Sequence, residues 1–180
     1  MHGACMGGGV GLAGHSEIRL VTDSSRVAMP ETKIGFTPDV GGSWLLGQAP
    51  GRLGERLGLH GQVMGPAEAI TAGFADLYIP AERWTEVHNA VATGAEMGDV
   101  MAALASLAAD PGPAQFGLET DVLNEVYAQE TVAEIRAALA TVDPGAVEEL
   151  DSLSPTALEV TLRSIRSART MSLRQALDQE

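Results

Sequence analysis

Two carboxylates stand eight residues apart in Pro30-Glu31-Thr32-Lys33-Ile34-Gly35-Phe36-Thr37-Pro38-Asp39-Val40-Gly41-Gly42, a stretch bounded and interrupted by glycine and proline. Such backbone forms irregular loops that readily aim side chains into a cleft. If Glu31 and Asp39 converge, mutual repulsion and partial burial raise the proton affinity of one of them. That member then suits general acid–base or nucleophilic work near neutral pH. Upstream lies Gly7-Gly8-Gly9-Val10-Gly11-Leu12-Ala13-Gly14, a backbone-exposing segment at a predicted helix start. Unpaired N–H groups and the positive dipole end favour negative charge developing there, so the segment can serve as an oxyanion hole.

Each feature also has a plainer reading. The glycines can simply allow tight packing, Asp39 can hydrogen-bond the glycine amides beside it, and Glu31 can pair with Lys33 on the surface. Gly9, Gly11 and Gly14 match G-x-G-x-x-G, with Glu31 20 residues beyond Gly11. The dinucleotide-binding reading fails on context: it needs a preceding strand and a helix of several turns, whereas few residues precede Gly7 and strand-like sequence resumes at Glu17. No P-loop pattern occurs. His2, His15, His60 and His88 lack metal-ligand spacing and read as surface or satisfied core histidines, and Cys5 reads as a small packing residue.

The elements that must position these residues fall into two compositional halves. Fifteen of the 21 glycines lie within the first 65 residues, and the remainder is helix-like. The pattern predicts a short helix over Gly8–Gly14, strands over Glu17–Thr22 and Val27–Met29, and a loop over Gly35–Gly42 leading into a helix from about Ser43. Further helices are predicted over Arg52–Leu59, Pro66–Ala72, Ala81–Ala92, Val100–Ala108, Asp121–Gln129, Val132–Ala140 and Pro155–Arg169, with a strand at Asp76–Ile79. Asp110-Pro111-Gly112-Pro113 reads as a linker and Asp143-Pro144-Gly145 as a turn. In the last long helix Leu158, Leu162 and Ile165 form an apolar stripe opposite Arg163 and Arg166, which read as a solvated face.

Composition narrows the function classes. The 180 residues are 45% hydrophobic and carry a net charge of −13. The first 60 residues balance five acids against five bases, so the acidity belongs to the later part. Such a chain is a poor candidate for binding nucleic acid or an anionic membrane surface. No apolar run approaches the roughly 18 residues of a membrane span, and the N-terminus has no signal-peptide pattern, so the expected location is cytoplasmic. The single cysteine agrees with a reducing compartment.

Taken together, a Gly-Gly-Gly helix start followed by Pro-Glu and then Pro-Asp-Val-Gly-Gly resembles the crotonase, or enoyl-CoA hydratase/isomerase, superfamily. Met6–Leu12, Ala28–Phe36 and Pro38–Gly42 look most like its 3-hydroxyisobutyryl-CoA hydrolase branch, and Ser154-Pro155-Thr156-Ala157-Leu158 through Arg163 resembles that branch's C-terminal helical region. The resemblance implies an α/β fold, a partial crotonase-like spiral of β-β-α units over residues 1–80 followed by a helical region over 81–180. It also implies an acyl-CoA thioester as substrate, with no separate cofactor and no metal. Under it the Gly8 amide is one of two oxyanion-hole donors, Glu31 acts on water or on the carbonyl carbon, and Asp39 holds the substrate's hydroxyl end or assists Glu31. Gly11 stands where hydratases of the superfamily usually carry a catalytic Glu, which favours thioester hydrolysis, as in valine breakdown, over hydration. Relatives have on the order of a hundred residues before the glycine cluster, so the chain is expected to be a fragment lacking the other oxyanion amide and most of the CoA-binding surface. Enoyl-CoA hydration or isomerisation is the alternative activity. A non-catalytic interaction module, or half of a split enzyme completed by a partner chain or a missing N-terminal segment, is the alternative class.

Overall fold

A computed structural model describes residues 1–94 and 96–180. Strand β1 (Ala4–Met6) runs straight into helix α1 (Gly8–Ala13), then come β2 (Leu20–Val21) and β3 (Arg26–Ala28). A 3-10 turn, Glu31–Ile34, follows β3 and leads by an irregular loop to α2 (Gly42–Gln48), α3 (Leu53–His60) and α4 (Pro66–Thr71). Strand β4 (Leu77–Tyr78) and a 3-10 turn at Ala81–Arg83 precede α5 (Trp84–Thr93) and α6 (Met97–Leu107). Five helices close the chain: α7 (Thr120–Tyr127), α8 (Val132–Val142), α9 (Pro144–Asp151), α10 (Pro155–Ala168) and α11 (Leu173–Gln179). The result is a mixed α/β arrangement with short strands and a helical remainder.

The strands form two parallel pairs. In β1–β3, Ala4, Cys5 and Met6 face Arg26, Val27 and Ala28; in β2–β4, Leu20 and Val21 face Leu77 and Tyr78. Because β1 and β3 are parallel neighbours in register, the segments leaving them emerge side by side at one end of the pair, the end where parallel sheets build their sites. The predicted strand Glu17–Thr22 shortens to two residues, since only Leu20 and Val21 find partners on β4. A strand does precede Gly7, contrary to expectation, but the helix after it has six residues, too few for the dinucleotide-binding arrangement.

One core joins the glycine-rich segment to the helices. Cys5, Val10, Val27 and Met29 share it with Leu45 and Leu46 of α2, Leu57 of α3, Tyr127 of α7, Leu139 of α8 and Leu158, Leu162 and Ile165 of α10. The predicted stripe of α10 is buried, and Ser154 caps its start by accepting from the Ala157 amide, with Pro155 at the first helical position. The basic face opposite it is not uniformly solvated. Arg163 is exposed, but Arg166 donates to the carbonyls of Tyr127, Gln129 and Glu130 at 2.6–2.9 Å, filling acceptors left open where α7 ends.

The fully buried Glu55 of α3 is held by Arg52 at 2.9 Å, Arg169 at 2.6 Å and Arg166 at 3.6 Å. A second polar chain runs inward from the surface, from Lys33 to Glu149 (3.1 Å), to the buried His60 at Nδ1 (2.8 Å), and from His60 Nε2 to the buried Tyr127 hydroxyl (2.8 Å), which also accepts from Arg56 (3.1 Å). Among the described residues, no helix is long and apolar enough to cross a membrane.

Candidate active site

The site grows out of the β1–β3 pair. Gly7 follows β1 at φ 51° and ψ −117°, a conformation open essentially to glycine, and its N–H donates to the Ala28 carbonyl at 3.1 Å. The turn starts α1 abruptly, so the amides of Gly8 and Gly9 donate to no group among the described residues. On the neighbouring strand, β3 stops at Ala28 and Pro30 turns the chain into the Glu31–Ile34 3-10 turn. That turn is pinned by the Thr32 hydroxyl donating to the Gly58 carbonyl at 3.1 Å, and by Gly35, at φ 80°, closing it back on Glu31 and Thr32.

These constraints lay the Glu31 carboxylate directly on the Gly7 backbone: a Cβ added to Gly7 would stand 2.7 Å from Glu31 Oε1. Glu31 is half-buried, and its Oε2 is shielded from solvent without a hydrogen-bond partner. Burial pushes the Glu31 carboxyl above the ordinary range, and the negative charge of Asp39 pushes it further in the same direction. The surface pair with Lys33 does not form, because Lys33 reaches away to Glu149.

Asp39 sits exposed on the turn before α2, and its side chain makes no hydrogen bond among the described residues. The plainer reading, in which it caps the neighbouring glycine amides, does not hold: Gly42 N–H goes to the Asp39 backbone carbonyl (2.7 Å). The Gly41 and Ser43 amides instead donate to the side chain of Glu180, at 2.7 and 3.1 Å. Val40 takes φ 53°, unusual for a β-branched residue, and its side chain lies on α1. A Cβ at Gly11 would come within 2.6 Å of Val40 Cβ, so position 11 has no room for any side chain while Val40 stays where it is.

The structure thus brings Gly8 and Glu31 to adjacent strand ends and leaves Asp39 on the exposed turn before α2, near enough for its charge to act on Glu31. Glu180 had no sequence signal of its own. The glycine at the start of α2, which has no side chain to serve as a cap, was the one available hint that a distant acceptor is required. A surface recess of about 710 Å³ beside Phe116, Leu118 and Val142 contains none of these residues. Among the described residues, no group of three or more histidine, cysteine, aspartate or glutamate side chains is arranged to hold a metal. Cys5 is buried in the core, where burial pushes its thiol up, as suits a packing residue.

The arrangement can polarise a carbonyl with a backbone amide while a carboxylate of raised proton affinity stands beside it. Comparison with known proteins gives it a family. The sequence profile described as enoyl-CoA hydratase/isomerase matches residues 1–180. The chain belongs to that family. It is 32% identical over 192 residues to a probable 3-hydroxyisobutyryl-CoA hydrolase 2 of Arabidopsis thaliana, covering 100% of this chain and 51% of that protein. It is 33% identical over 189 residues to the mitochondrial 3-hydroxyisobutyryl-CoA hydrolase of Rattus norvegicus, covering 99% and 49%.

Among solved structures, it resembles a carnitinyl-CoA dehydratase from Mycobacterium thermoresistibile, with 44% identity, a TM-score of 0.87, and coverage of 97% of this chain and 52% of the other. An enoyl-CoA hydratase from Rhodobacter sphaeroides follows at 41% identity and a TM-score of 0.79, covering 98% and 51%. The crotonase-like fold expected from the sequence is borne out, as is the resemblance to the hydrolase branch. The chain spans about half the length of the curated relatives it matches.

Proposed function

We propose that this chain carries the acid–base half of a coenzyme A thioester hydrolase site, acting on a short branched 3-hydroxyacyl thioester such as 3-hydroxyisobutyryl-CoA. The observation that carries the reading is Glu31: a half-buried carboxylate of raised proton affinity, lying on Gly7 beside the free Gly8 amide, with no second carboxylate on α1 to work with it.

The Gly8 N–H donates to the thioester carbonyl oxygen and stabilises the charge that gathers there. Glu31 takes a proton from water as the water oxygen bonds to the carbonyl carbon. The tetrahedral adduct collapses with cleavage of the C–S bond, and the proton on Glu31 passes to the departing thiolate, leaving free coenzyme A thiol and a carboxylic acid that gives its proton to solvent. The same atoms allow Glu31 to attack the carbonyl carbon first, breaking the C–S bond and expelling the thiolate as an anhydride forms; water then opens the anhydride, freeing Glu31, and a proton from that water goes to the thiolate. Asp39 faces the substrate's hydroxyl end and keeps Glu31 basic.

Most cations are already committed. Among the described residues, nine of the 11 basic side chains lie in ion pairs, which leaves little positive charge for the phosphates of coenzyme A. A segment or partner chain completing the β1 edge is expected to supply it.

Hydration is the second reading, favoured by the names of the two solved structures that share 41–44% identity with this chain. The test is thiol release from 3-hydroxyisobutyryl-CoA by the chain joined to, or mixed with, the N-terminal half of a relative. Release that disappears in Glu31→Gln supports hydrolysis. Hydration of crotonyl-CoA without thiol release replaces it with the second reading, and neither activity favours a non-catalytic module.

A further inference from the structure

The turn that carries Asp39 is held from two sides by groups far away in sequence. On one side the Val40 side chain rests on Gly11 and the Val40 carbonyl lies 3.2 Å from His15 Nε2. On the other, both carboxylate oxygens of Glu180 are engaged: Oε2 accepts from Gly41 N–H at 2.7 Å, and Oε1 accepts from Ser43 N–H at 3.1 Å and from the Ser43 hydroxyl. Those donors are 137–139 residues away from Glu180. The start of α2 has no local side-chain cap, so Glu180 supplies from a distance what an Asp or Ser supplies in most helices.

Glu180 is exposed, yet it is not free to wander. It follows α11, whose start is closed by a reciprocal Ser172–Gln175 capping box. Gln179 accepts from the Ser167 hydroxyl at 2.7 Å and donates to the Ser164 hydroxyl at 3.0 Å, fastening the helix to α10. Ala176 is fully buried at the contact. The Glu180 amide continues the helix by donating to the Ala176 carbonyl at 3.0 Å.

Two features make this more than a helix cap. Asp39 makes no side-chain hydrogen bond of its own, so its aim depends on the backbone that bears it. The next residue, Val40, sits at φ 53°, a conformation that persists only when its surroundings impose it. We propose that Glu180 is a positioning residue for the candidate site: by bridging Gly41 and Ser43 it fixes the Asp39–Val40 turn, and with it the position of Asp39 relative to Glu31. This rests on the reading of Glu31 and Asp39 as the reacting pair.

The test compares Glu180→Ala, Glu180→Gln and Ser43→Ala with the parent chain and with Asp39→Asn. The first readout needs no turnover: the titration of the Glu31 side-chain carboxyl, followed by carbon NMR. Asp39 raises the proton affinity of Glu31, so Asp39→Asn lowers the midpoint, and Glu180→Ala should lower it in the same direction. Ser43→Ala, which removes one donor of three, should give a smaller shift of that sign. The second readout is thiol release by the chain completed with its N-terminal half. There Glu180→Ala should lower kcat about 10- to 100-fold, as expected for a site misplaced by the order of 1 Å, and move the acidic limb of the pH profile downward.

A variant that melts earlier but keeps both the Glu31 titration and the profile reduces Glu180 to a cap and overturns the proposal. Should Glu180→Ala fail to fold, Glu180→Gln and Ser43→Ala decide by the same readouts. A shifted titration in a chain that releases no thiol upholds the positioning role while counting against the proposed activity, so the two can fail separately.

Discussion

Replacing Gly7 by alanine tests the contact on which the site is built. Gly7 has φ 51° and ψ −117°, so any side chain there carries backbone strain of about 1–3 kcal/mol. For a domain of this size that corresponds to a fall in melting temperature of about 3–9 °C, at ~3 °C per kcal/mol. The new methyl also meets Glu31 Oε1 at 2.7 Å, where an ordinary contact begins at 3.4 Å, so the carboxylate must retreat by about 0.7 Å. Misplacement by 1 Å costs on the order of a hundredfold in rate, and Gly7→Ala should therefore lower kcat by about 10- to 100-fold. Thermal melts and thiol-release kinetics on the completed chain measure the two effects. Gly8→Ala is the control for stability: its Cβ meets nothing within 4 Å and α1 is already helical there, so its melting temperature should hold within about 1–2 °C. A Gly7→Ala protein with parental melting and turnover would refute the placement of Glu31 against the glycine turn.

Other perturbations separate the roles of the remaining groups. Glu31→Gln should lose about 10²- to 10⁴-fold in rate while melting no lower than the parent at neutral pH. A carboxyl whose folded proton affinity is raised favours the fold below about pH 4.5 and loses that contribution as pH rises through its folded value, and glutamine removes the loss. A clear destabilisation by Glu31→Gln at pH 7 would contradict the assignment. His60 is held below the ordinary histidine range because burial outweighs the pull of Glu149. The unfolded chain therefore gains a proton that the folded chain refuses below about pH 6.5, and the melting temperature should fall on acidification from pH 7.5 to 5.5. A His60 proton resonance titrating at or above the ordinary value would contradict this. Glu55→Ala leaves three guanidiniums around an empty buried position. Because those arginines are partly exposed, the loss should be near the lower end of the range for a broken buried pair, about 3 kcal/mol, read as a fall of about 9 °C.

The site was more legible in the sequence than the scaffold that holds it. Glycine and proline write their backbone demands locally, so the helix start at Gly8 and the irregular loop carrying Glu31 and Asp39 could be read from neighbouring residues. Strand β1 could not, because three residues are too few to show alternation. Asp143-Pro144-Gly145 reads as a turn, yet Asp143 accepts from the Ala146 amide and Pro144 occupies the first position of α9, so the same residues open a helix. The seven-residue α11 is short for a periodicity signal, although its Ser172–Gln175 capping box is a legible start. The Tyr127–His60–Glu149–Lys33 chain and the Glu180 bridge join segments tens of residues or more apart. Spacing within one segment carries no trace of them. The solvated face assigned to Arg166 failed for the same reason: the open carbonyls at the end of α7 are distant in sequence and adjacent in space.

In the proposed reaction the carboxylate on Gly7 hydrolyses a thioester without a second carboxylate on α1. The most direct measurement offers the completed chain 3-hydroxyisobutyryl-CoA and crotonyl-CoA in parallel, recording free thiol from the first and loss of the enoyl absorbance from the second, with Glu31→Gln beside each. Thiol release should depend on Glu31, and enoyl absorbance should show no Glu31-dependent loss. Hydration of crotonyl-CoA with no release of thiol would contradict the proposed reaction.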